Sequence, residues 1–344
     1  MTARIVVHVG PGKTGSSALQ QWLTTHHDAL LAAGVLYPAH GLDRNGVSSG
    51  NRAELMDIVP GEGRDVHVVS AAKAGALRAT LEESGCHTLL LSSEFFYPAI
   101  TDIQREFPDA EFVLYLRDPI ELTESNYNQS VKRHDQTKAF TTPRTFRAGV
   151  FAQLPRLLGA ASPPRLLLRP YGERLFVGGD IVRDLLSVLG VSGFEPEVAR
   201  VNASYTFDAL EFKRHANFFA LGPLQPSVDT TLQSYSVGPR EYSLIPPDKF
   251  EAMRADCLEQ LDELIRAHSL AELHHLRDDL AAAEQRLYLP QEATREQLFG
   301  VADYLELEQP ETFARLHTQV RQTPGLLLPN PGFYARFAEP LLFP

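Results

Sequence analysis

The sequence predicts an α/β fold with a central parallel sheet and a helical C-terminal extension. Short apolar runs alternate with stretches of helical periodicity through about the first two hundred residues. Such alternation is typical of βαβ units, whose parallel strands are buried on both faces. The first run leads into a glycine-rich loop, and roughly the last hundred residues carry helical periodicity alone. These observations define the expected architecture.

The first predicted strand covers residues 4–9 and is followed by the loop Gly10–Ser17. Beyond the loop, the apolar spacing changes to threes, fours and a seven, at Leu19, Trp22, Leu23 and Leu30. A helix therefore opens near Gly15 or Ser16. The loop thus lies at a helix N-terminus, where unpaired N–H groups and the helix dipole attract anions.

The side chains of this loop suit a phosphate-like ligand. Its glycines let the backbone approach an anion closely, its lysine adds a cation, and its threonine and two serines add hydroxyl donors. The predicted anion site therefore comprises Gly12, Lys13, Thr14, Gly15, Ser16 and Ser17.

The loop shares its Gly-Lys-Thr ending with the nucleotide-triphosphate P-loop, but the spacing differs. The pattern G-x-x-x-x-G-K-[ST] requires a glycine five positions before Gly12, and that position is Val7, inside the strand. A P-loop-type small-molecule kinase that uses ATP and magnesium is therefore the alternative interpretation.

Three further strands are predicted at Thr88–Ser92, Glu111–Leu116 and Arg165–Arg169. Parallel strands end at the same edge of a sheet, and ligands bind outside that edge. Glu94 follows the strand Thr88–Ser92, and Arg117 follows the strand Glu111–Leu116. We therefore expect both side chains beside the loop, in a three-layer, P-loop-like nucleotide-binding fold.

Longer irregular stretches interrupt this pattern. Loops are predicted at residues 37–51 and 135–142, and an extended surface segment is predicted at residues 221–248, which are rich in Pro, Gly, Ser and Tyr. Helical periodicity then returns. We predict a core at residues 1–220, and at residues 221–344 a loop-rich excursion and a helical extension packed on the same domain.

The composition limits the classes of partner. The apolar fraction of 44% and charged fraction of 22% are typical of a globular protein. A net charge of -11 argues against a nucleic-acid-binding surface, although a few cations in a cleft can still hold a small polyanion. With no apolar run of membrane-spanning length and no signal-peptide pattern, we predict a cytoplasmic protein without a transmembrane segment. We predict no metal site.

Arg117 and Ser125 form a second candidate site. The arginine ends a strand and precedes Asp118 and Pro119, and the serine lies about two turns into the helix that follows. A guanidinium binds phosphate in bidentate fashion, and a neighbouring hydroxyl adds a donor. Together these two residues suit a second phosphate group.

The loop and the second site resemble those of sulfotransferases that use 3′-phosphoadenosine 5′-phosphosulfate (PAPS). Gly10–Ser17 is similar, position by position, to the family's 5′-phosphosulfate loop, Gly-x-x-Lys-Thr-Gly-[Ser/Thr]-[Ser/Thr]. Arg117 with Ser125 resembles the family's 3′-phosphate site.

The likeness extends over roughly the first 220 residues, with less specific similarity at Arg169-Pro170-Tyr171 and at residues 200–204. The C-terminal Arg-Lys-Gly segment of cytosolic small-molecule sulfotransferases is absent. That absence favours the bacterial or carbohydrate-type branches of the family.

The resemblance implies transfer of a sulfuryl group from PAPS, the donor substrate, to a hydroxyl or amine of a small-molecule or carbohydrate acceptor, without a metal. Lys13 would neutralise charge on the leaving phosphate oxygen, and Arg117 and Ser125 would bind the 3′-phosphate. A non-catalytic nucleotide-binding scaffold is a further alternative. The composition of the loops does not distinguish acceptor classes or oligomeric states.

A general base is needed to activate an acceptor hydroxyl. Glu94 is the first candidate and resembles the glutamate bases of several carbohydrate and protein sulfotransferases. The alternative is that Glu94 caps the helix that starts near Phe95. His134, which opens the polar segment 135–142, is the second candidate base.

Overall fold

The computed structural model of this chain describes residues 3–41, 48–62, 65–194, 204–323 and 331–338. Part of the predicted loop at 37–51, namely residues 42–47, lies outside the described residues, as do residues 200–203 of the family-like stretch.

The described strands are β1 (Arg4–His8), β2 (Val35–Leu36), β3 (Met56–Pro60), β4 (Asp65–Val69), β5 (Thr88–Ser92), β6 (Glu111–Leu116), β7 (Arg165–Pro170), β8 (Tyr242–Ser243) and β9 (Leu287–Tyr288). The described α-helices are α1 (Ser16–Thr25), α2 (His27–Ala32), α3 (Ala71–Ser84), α4 (Ile100–Glu106), α5 (Pro119–Arg133), α6 (Gly149–Leu158), α7 (Ile181–Leu189), α8 (Phe207–Ala216), α9 (Gln225–Ser234), α10 (Pro247–His268), α11 (His274–Ala282), α12 (Arg295–Glu308), α13 (Pro310–Gln322) and α14 (Pro331–Ala338). The longest of them, α10, carries charged residues along its whole length, and none of the described helices combines the length and the apolar character needed to cross a membrane.

The prediction of an α/β fold with a central parallel sheet is confirmed. Five parallel strands lie in the order β2-β5-β1-β6-β7, flanked by helices. The central strand β1 pairs through Val7 with Leu91 of β5 on one side and with Phe112 of β6 on the other. Because the chain crosses from β5 to β6 over β1, the loop after β1 emerges where the strand order reverses. Ligands of open α/β sheets bind at such a point.

The chain divides into two compact units that interleave along the sequence. The sheet unit comprises Met1–Pro119, Arg147–Val201 and Asp256–Ala282 and contains the whole five-stranded sheet. The helical unit comprises Ile120–Phe146, Asn202–Ala255 and Ala283–Pro344. The predicted division at residue 220, between a core and an extension packed on the same domain, stays a prediction.

In the sheet unit, helices α1 and α7 cover one face of the sheet. Leu19 of α1 and Leu185 of α7 pack with Val6 of β1 and Val113 of β6, and all four side chains are fully buried. The alternate residues of the central strands, such as Val7, are also fully buried. The sheet is therefore covered on both faces, as expected for parallel strands.

In the helical unit, α8 is buried along its whole length, including its charged residues. The Arg214 guanidinium makes two hydrogen bonds to the Glu211 carboxylate, of 2.9 and 2.6 Å, so neither buried charge lacks a partner. Helices α9, α12, α13 and α14 contribute to the same apolar core.

The extended segment predicted at residues 221–248 is wrong in part, because it contains α9. Pro226 lies in the first turn of this helix, where a missing N–H costs nothing, and Val228 and Leu232 are buried one turn apart. The prolines and serines that indicated an excursion thus mark the start of a helix and its exposed face. The β3–β4 hairpin was not predicted from the sequence.

Candidate active site

The loop after β1 is built on left-handed backbone. Gly10, Lys13 and Gly15 have φ angles of +87°, +68° and +75°. Gly15 needs this freedom, since a Cβ there would also lie 3.2 Å from the Ile181 Cδ1 atom. The Thr14 hydroxyl donates a 2.6 Å hydrogen bond to the Pro11 carbonyl oxygen, which closes the turn from inside.

The loop delivers the chain to the N-terminus of α1, as predicted. The first bond of the helix ladder runs from the Leu19 N–H to the Gly15 carbonyl oxygen, so the N–H groups of Ser16, Ser17 and Ala18 precede it. No side chain caps this end, and the first turn carries no acidic residue. The positive end of the helix dipole therefore faces the loop without a carboxylate of its own helix to offset it.

The hydroxyl of Ser16 is an independent sign of a ligand at this helix end. Ser16 is only 2% exposed, and its Oγ atom has no hydrogen-bond partner in the described part of the chain. A buried hydroxyl without a partner is costly, and such groups cluster at functional sites. By contrast, the neighbouring Thr14 hydroxyl is satisfied within the loop.

Glu94 contacts this loop from the adjacent strand end. It opens a short 3-10 turn, Glu94–Ala99, directly after β5. A Cβ on Gly12 would lie 3.2 Å from the Glu94 Oε2 atom, and one on Gly10 would lie 3.4 Å from the Glu94 Cα atom. Glycines at these positions thus leave room for the carboxyl group against the loop.

Desolvation raises the pKa of Glu94, while the Lys13 charge and the nearby Ser16 hydroxyl lower it. The Ser16 hydroxyl lies near the Glu94 carboxyl group but makes no hydrogen bond to it. Glu94 nevertheless keeps part of its surface exposed to solvent. Its raised pKa therefore reflects partial desolvation rather than full burial.

The alternative structural role of Glu94 is wrong in part: Glu94 does not occupy the cap position, but it is the acidic residue in the first turn of Glu94–Ala99, where its charge favours the helix dipole. Ser93 occupies the cap position of the turn, and its hydroxyl accepts a hydrogen bond of 3.2 Å from the Phe95 N–H. The Glu94 carboxyl group makes no cap hydrogen bond, and it lies close to Gly12 and Lys13.

Arg117 reaches the loop from the end of β6. Its Nη1 atom donates a 3.0 Å hydrogen bond to the Lys13 carbonyl oxygen, and its guanidinium lies 5.4 Å from the centre of the Tyr171 ring. Tyr171 follows β7, and its ring lies 3.5 Å from the position a Gly15 Cβ would take. The ends of four neighbouring strands therefore meet around one loop, and the structure brings Lys13, Glu94 and Arg117 together.

The remaining predicted residues have the following places. Ser17 is half-buried in the first turn of α1. Ser125 is half-buried on α5, and His134 is exposed directly after that helix; both belong to the helical unit. Their participation beside the loop stays a prediction.

A network of hydrogen bonds that joins His8, Ser92 and Gln20 was not predicted from the sequence. The His8 Nδ1 atom lies 2.8 Å from the Ser92 Oγ atom, which also accepts a 3.2 Å hydrogen bond from the Gln20 amide. The Gln20 oxygen accepts a hydrogen bond from the Ser48 hydroxyl. Burial lowers the pKa of His8 to about 4, so its ring is neutral at neutral pH. The signal was a polar residue inside each of two adjacent apolar strands.

In comparisons with protein-family models, with curated proteins and with solved structures, nothing matches this chain. Within the described residues, no group of three or more His, Cys, Asp or Glu side chains is placed to hold a metal ion. The functional interpretation therefore depends on the geometry of the loop and of the side chains that contact it.

Proposed function

We propose that this chain is a sulfotransferase that transfers a sulfuryl group from PAPS to a hydroxyl or amine of an acceptor, using its α/β core as a P-loop-like nucleotide-binding fold. One observation carries the proposal. At the N-terminus of α1, a cation, a carboxyl group and a buried, unpartnered hydroxyl converge: Lys13, Glu94 and Ser16. Anion binding and proton removal can thus take place at one point.

In this proposal, the 5′-phosphosulfate lies against the start of α1. The N–H groups that precede the helix ladder and the Ser16 and Ser17 hydroxyls donate to its oxygens. Lys13 adds a positive charge from the loop. Arg117, with Ser125 as its proposed partner, binds the 3′-phosphate.

The chemical step forms a bond between the acceptor oxygen and sulfur and breaks the bond between sulfur and the 5′-phosphate oxygen. The electron pair of the broken bond stays on the phosphate oxygen, where Lys13 stabilises the developing charge. Glu94 takes the acceptor proton, and its raised pKa makes it a stronger base than an ordinary glutamate. The products are the sulfated acceptor and 3′,5′-adenosine bisphosphate (PAP). We propose a small-molecule or carbohydrate acceptor rather than a nucleic acid, in keeping with the net charge of -11.

Thermal unfolding with added nucleotides tests the donor site, because a ligand that binds only the native state raises the melting temperature. We expect PAP at a hundredfold excess over its Kd to raise it by a few degrees. AMP, which lacks the 3′-phosphate, should raise it less, and ATP with magnesium should not exceed AMP. A larger shift with ATP and magnesium, together with no response to PAP, would favour the kinase and contradict the proposal.

The matched variants are Lys13→Met and Lys249→Met. Lys249 is an exposed lysine that pairs with Asp248 at the start of α10. We expect the shift with PAP to fall in Lys13→Met and to stay at the wild-type value in Lys249→Met. Incubation with sulfur-labelled PAPS and acceptor mixtures then separates an enzyme from a non-catalytic scaffold, since a scaffold would bind PAP and form no labelled product.

A further inference from the structure

Next to Glu94 in the chain, Phe95 belongs to a group in which a cation contacts two rings. The Arg52 guanidinium lies 4.7 Å from the centre of the Phe95 ring. Its Nη1 atom lies 3.3 Å from the Nε2 atom of His67, and the His67 ring meets the Phe95 ring edge-on at 4.5 Å. We call these three residues the Arg52 cluster.

The Arg52 cluster is fixed next to Glu94 by the backbone. The Asn51 N–H donates to the Ser92 carbonyl oxygen at 3.1 Å, and the Ser92 N–H donates to the Asn51 side chain at 2.8 Å. The Ser93 hydroxyl donates to the Ser49 carbonyl oxygen at 2.8 Å. Arg52 directly follows Asn51 in this hydrogen-bonded segment, and Phe95 directly follows Glu94.

In the described part of the chain, no acidic residue pairs with Arg52. Within the part of the chain that the structure describes, no carboxylate lies within ion-pair distance of its half-buried guanidinium, although the chain has 43 acidic residues against 32 basic ones. A partly desolvated guanidinium held by an aromatic face and an imidazole suits an oxyanion that offers two oxygens.

The surface beside this cation is apolar and open. Phe95 is 36% exposed, and Ile58, which lies directly opposite His67 in the β3–β4 hairpin, is 52% exposed. Exposed apolar side chains beside a cation fit a ligand with a flat or aliphatic part and an acidic group.

We propose that the Arg52 cluster is an acceptor subsite, and that the acceptor is a hydroxyl compound bearing an oxyanion, a carboxylate or a sulfate ester, next to an apolar or ring portion. This inference depends on the proposed sulfotransferase activity, because Glu94 as the base defines where the reacting hydroxyl lies. The oxyanion pairs with Arg52, and the ring portion lies against Phe95. The acceptor hydroxyl then lies within reach of both the Glu94 carboxylate, which takes its proton, and the sulfur atom of the donor, which its oxygen attacks.

Three matched glycosides test the subsite by calorimetric titration: 4-nitrophenyl β-D-glucoside, the corresponding glucuronide, and the glucoside 6-sulfate. We expect the wild-type protein to bind both acidic glycosides at least tenfold more tightly than the neutral one. Arg52→Met should reduce the affinity for the acidic glycosides to that of the neutral one. The two acidic probes also show whether a carboxylate or a sulfate is preferred.

Arg78→Met is the matched control, because the Arg78 guanidinium also lies 4.7 Å from an aromatic ring, that of Phe107. We expect Arg78→Met to bind all three probes like the wild type. Equal binding of the three glycosides by the wild type, or no binding of any, would overturn the proposal. An equal loss for all three in Arg52→Met would show that Arg52 only supports the fold.

Titrations with and without PAP separate this inference from the proposed function. If PAP fails to bind but the acidic glycosides keep their Arg52-dependent preference, the donor assignment is wrong and the anion subsite stands. If PAP binds the wild type and Arg52→Met equally and no acidic preference is seen, the donor site stands and the acceptor inference is wrong.

Discussion

The Arg117 guanidinium donates a 3.0 Å hydrogen bond to the carbonyl oxygen of Lys13. Lys13 adopts a left-handed backbone with φ of +68°, which an L-residue adopts only when its surroundings hold it there. The arginine proposed to bind the 3′-phosphate therefore also supports the loop proposed to bind the 5′-phosphosulfate.

This double role predicts how Arg117→Ala affects nucleotide binding. We expect the affinity for PAP to fall about 10- to 100-fold, as for the loss of a hydrogen-bonded ion pair. AMP, which has no 3′-phosphate, should also lose affinity, because the loop loses the bond to its Lys13 carbonyl oxygen. Calorimetric titration of both nucleotides measures the two effects. Unchanged AMP binding would show that the loop keeps its shape without Arg117, and Arg105→Ala, at an exposed arginine of α4, is the control.

Ser16→Ala and Thr14→Val are predicted to act in opposite ways. The Ser16 hydroxyl has no partner, so its removal should leave the free energy of unfolding unchanged or raised while weakening PAP binding about tenfold or more. The Thr14 hydroxyl donates to the Pro11 carbonyl oxygen, so its removal should destabilise the protein by about 1 kcal/mol. Urea unfolding and PAP titration of both variants check this. A Ser16→Ala protein that is clearly destabilised, with normal PAP binding, would contradict a ligand role for this hydroxyl.

Glu94→Gln is expected to reduce turnover about 10²- to 10⁴-fold, because a positioned base is lost. His134→Gln, the matched change at the second candidate base, should leave turnover within about twofold. Steady-state kinetics with any accepted acceptor measures both. The reverse pattern would assign the base to His134.

The same carboxyl group predicts two pH dependences. The base form of Glu94 is lost as the pH falls through its folded-state pKa, which burial raises above 4.5. The acid limb of kcat/KM should therefore lie above that value and disappear in Glu94→Gln. Since the folded protein disfavours the ionised form, Glu94→Gln should also be more stable than the wild type near pH 7, with the difference vanishing below about pH 4.5.

His8 predicts an acid-dependent loss of stability. The folded state holds the pKa of this buried ring at about 4, against 6.5 for an exposed histidine. The unfolded chain thus binds a proton first, and the free energy of unfolding should fall between pH 6.5 and 4 by up to about 3 kcal/mol from this residue. His8→Asn, which keeps a polar group near Ser92, should show a correspondingly smaller fall in urea unfolding across that range. An identical pH dependence in both proteins would show that His8 does not carry this effect.

Gly50→Ala is predicted to disrupt the segment that carries Arg52. Gly50 has a φ of +66°, and a Cβ there would lie 1.7 Å from the Ser92 carbonyl oxygen. We expect the substitution to lower the free energy of unfolding by about 3 kcal/mol or more. Gly85 has a similar φ of +68°, and an added Cβ there would meet nothing within 4 Å. Gly85→Ala should therefore lower the free energy of unfolding by only about 1–2 kcal/mol. Urea unfolding of both variants separates the steric clash at Gly50 from the cost of a left-handed backbone. Equal decreases in the free energy of unfolding would contradict the close contact between Gly50 and Ser92.

The positions of Lys13, Glu94 and Arg117 could be predicted because each lies in the segment that follows the end of an apolar strand. Parallel strands of this kind end at one edge, whatever their order in the sheet. The confirmed start of α1 at Ser16 likewise follows from the change in apolar spacing.

Other features could not be predicted because they depend on contacts between distant residues. That Ser93 rather than Glu94 caps the turn is decided by side-chain geometry, and the Arg52 cluster depends on the hairpin that places His67. The hairpin could not be predicted because Ile58 and most of its valines are exposed, so no alternation of buried and polar positions marks its strands. Helix α9 could not be predicted because its proline and serines are equally common in loops.

The most direct test of the central claim is calorimetric titration of PAP into the wild-type protein and into Ser16→Ala, with and without magnesium. We expect one site, an affinity that does not depend on magnesium, and at least tenfold weaker binding by Ser16→Ala, whose melting temperature should be unchanged or raised. Absence of PAP binding by the wild-type protein, or equal affinity in both proteins, would contradict the assignment of the α1 N-terminus as the donor site.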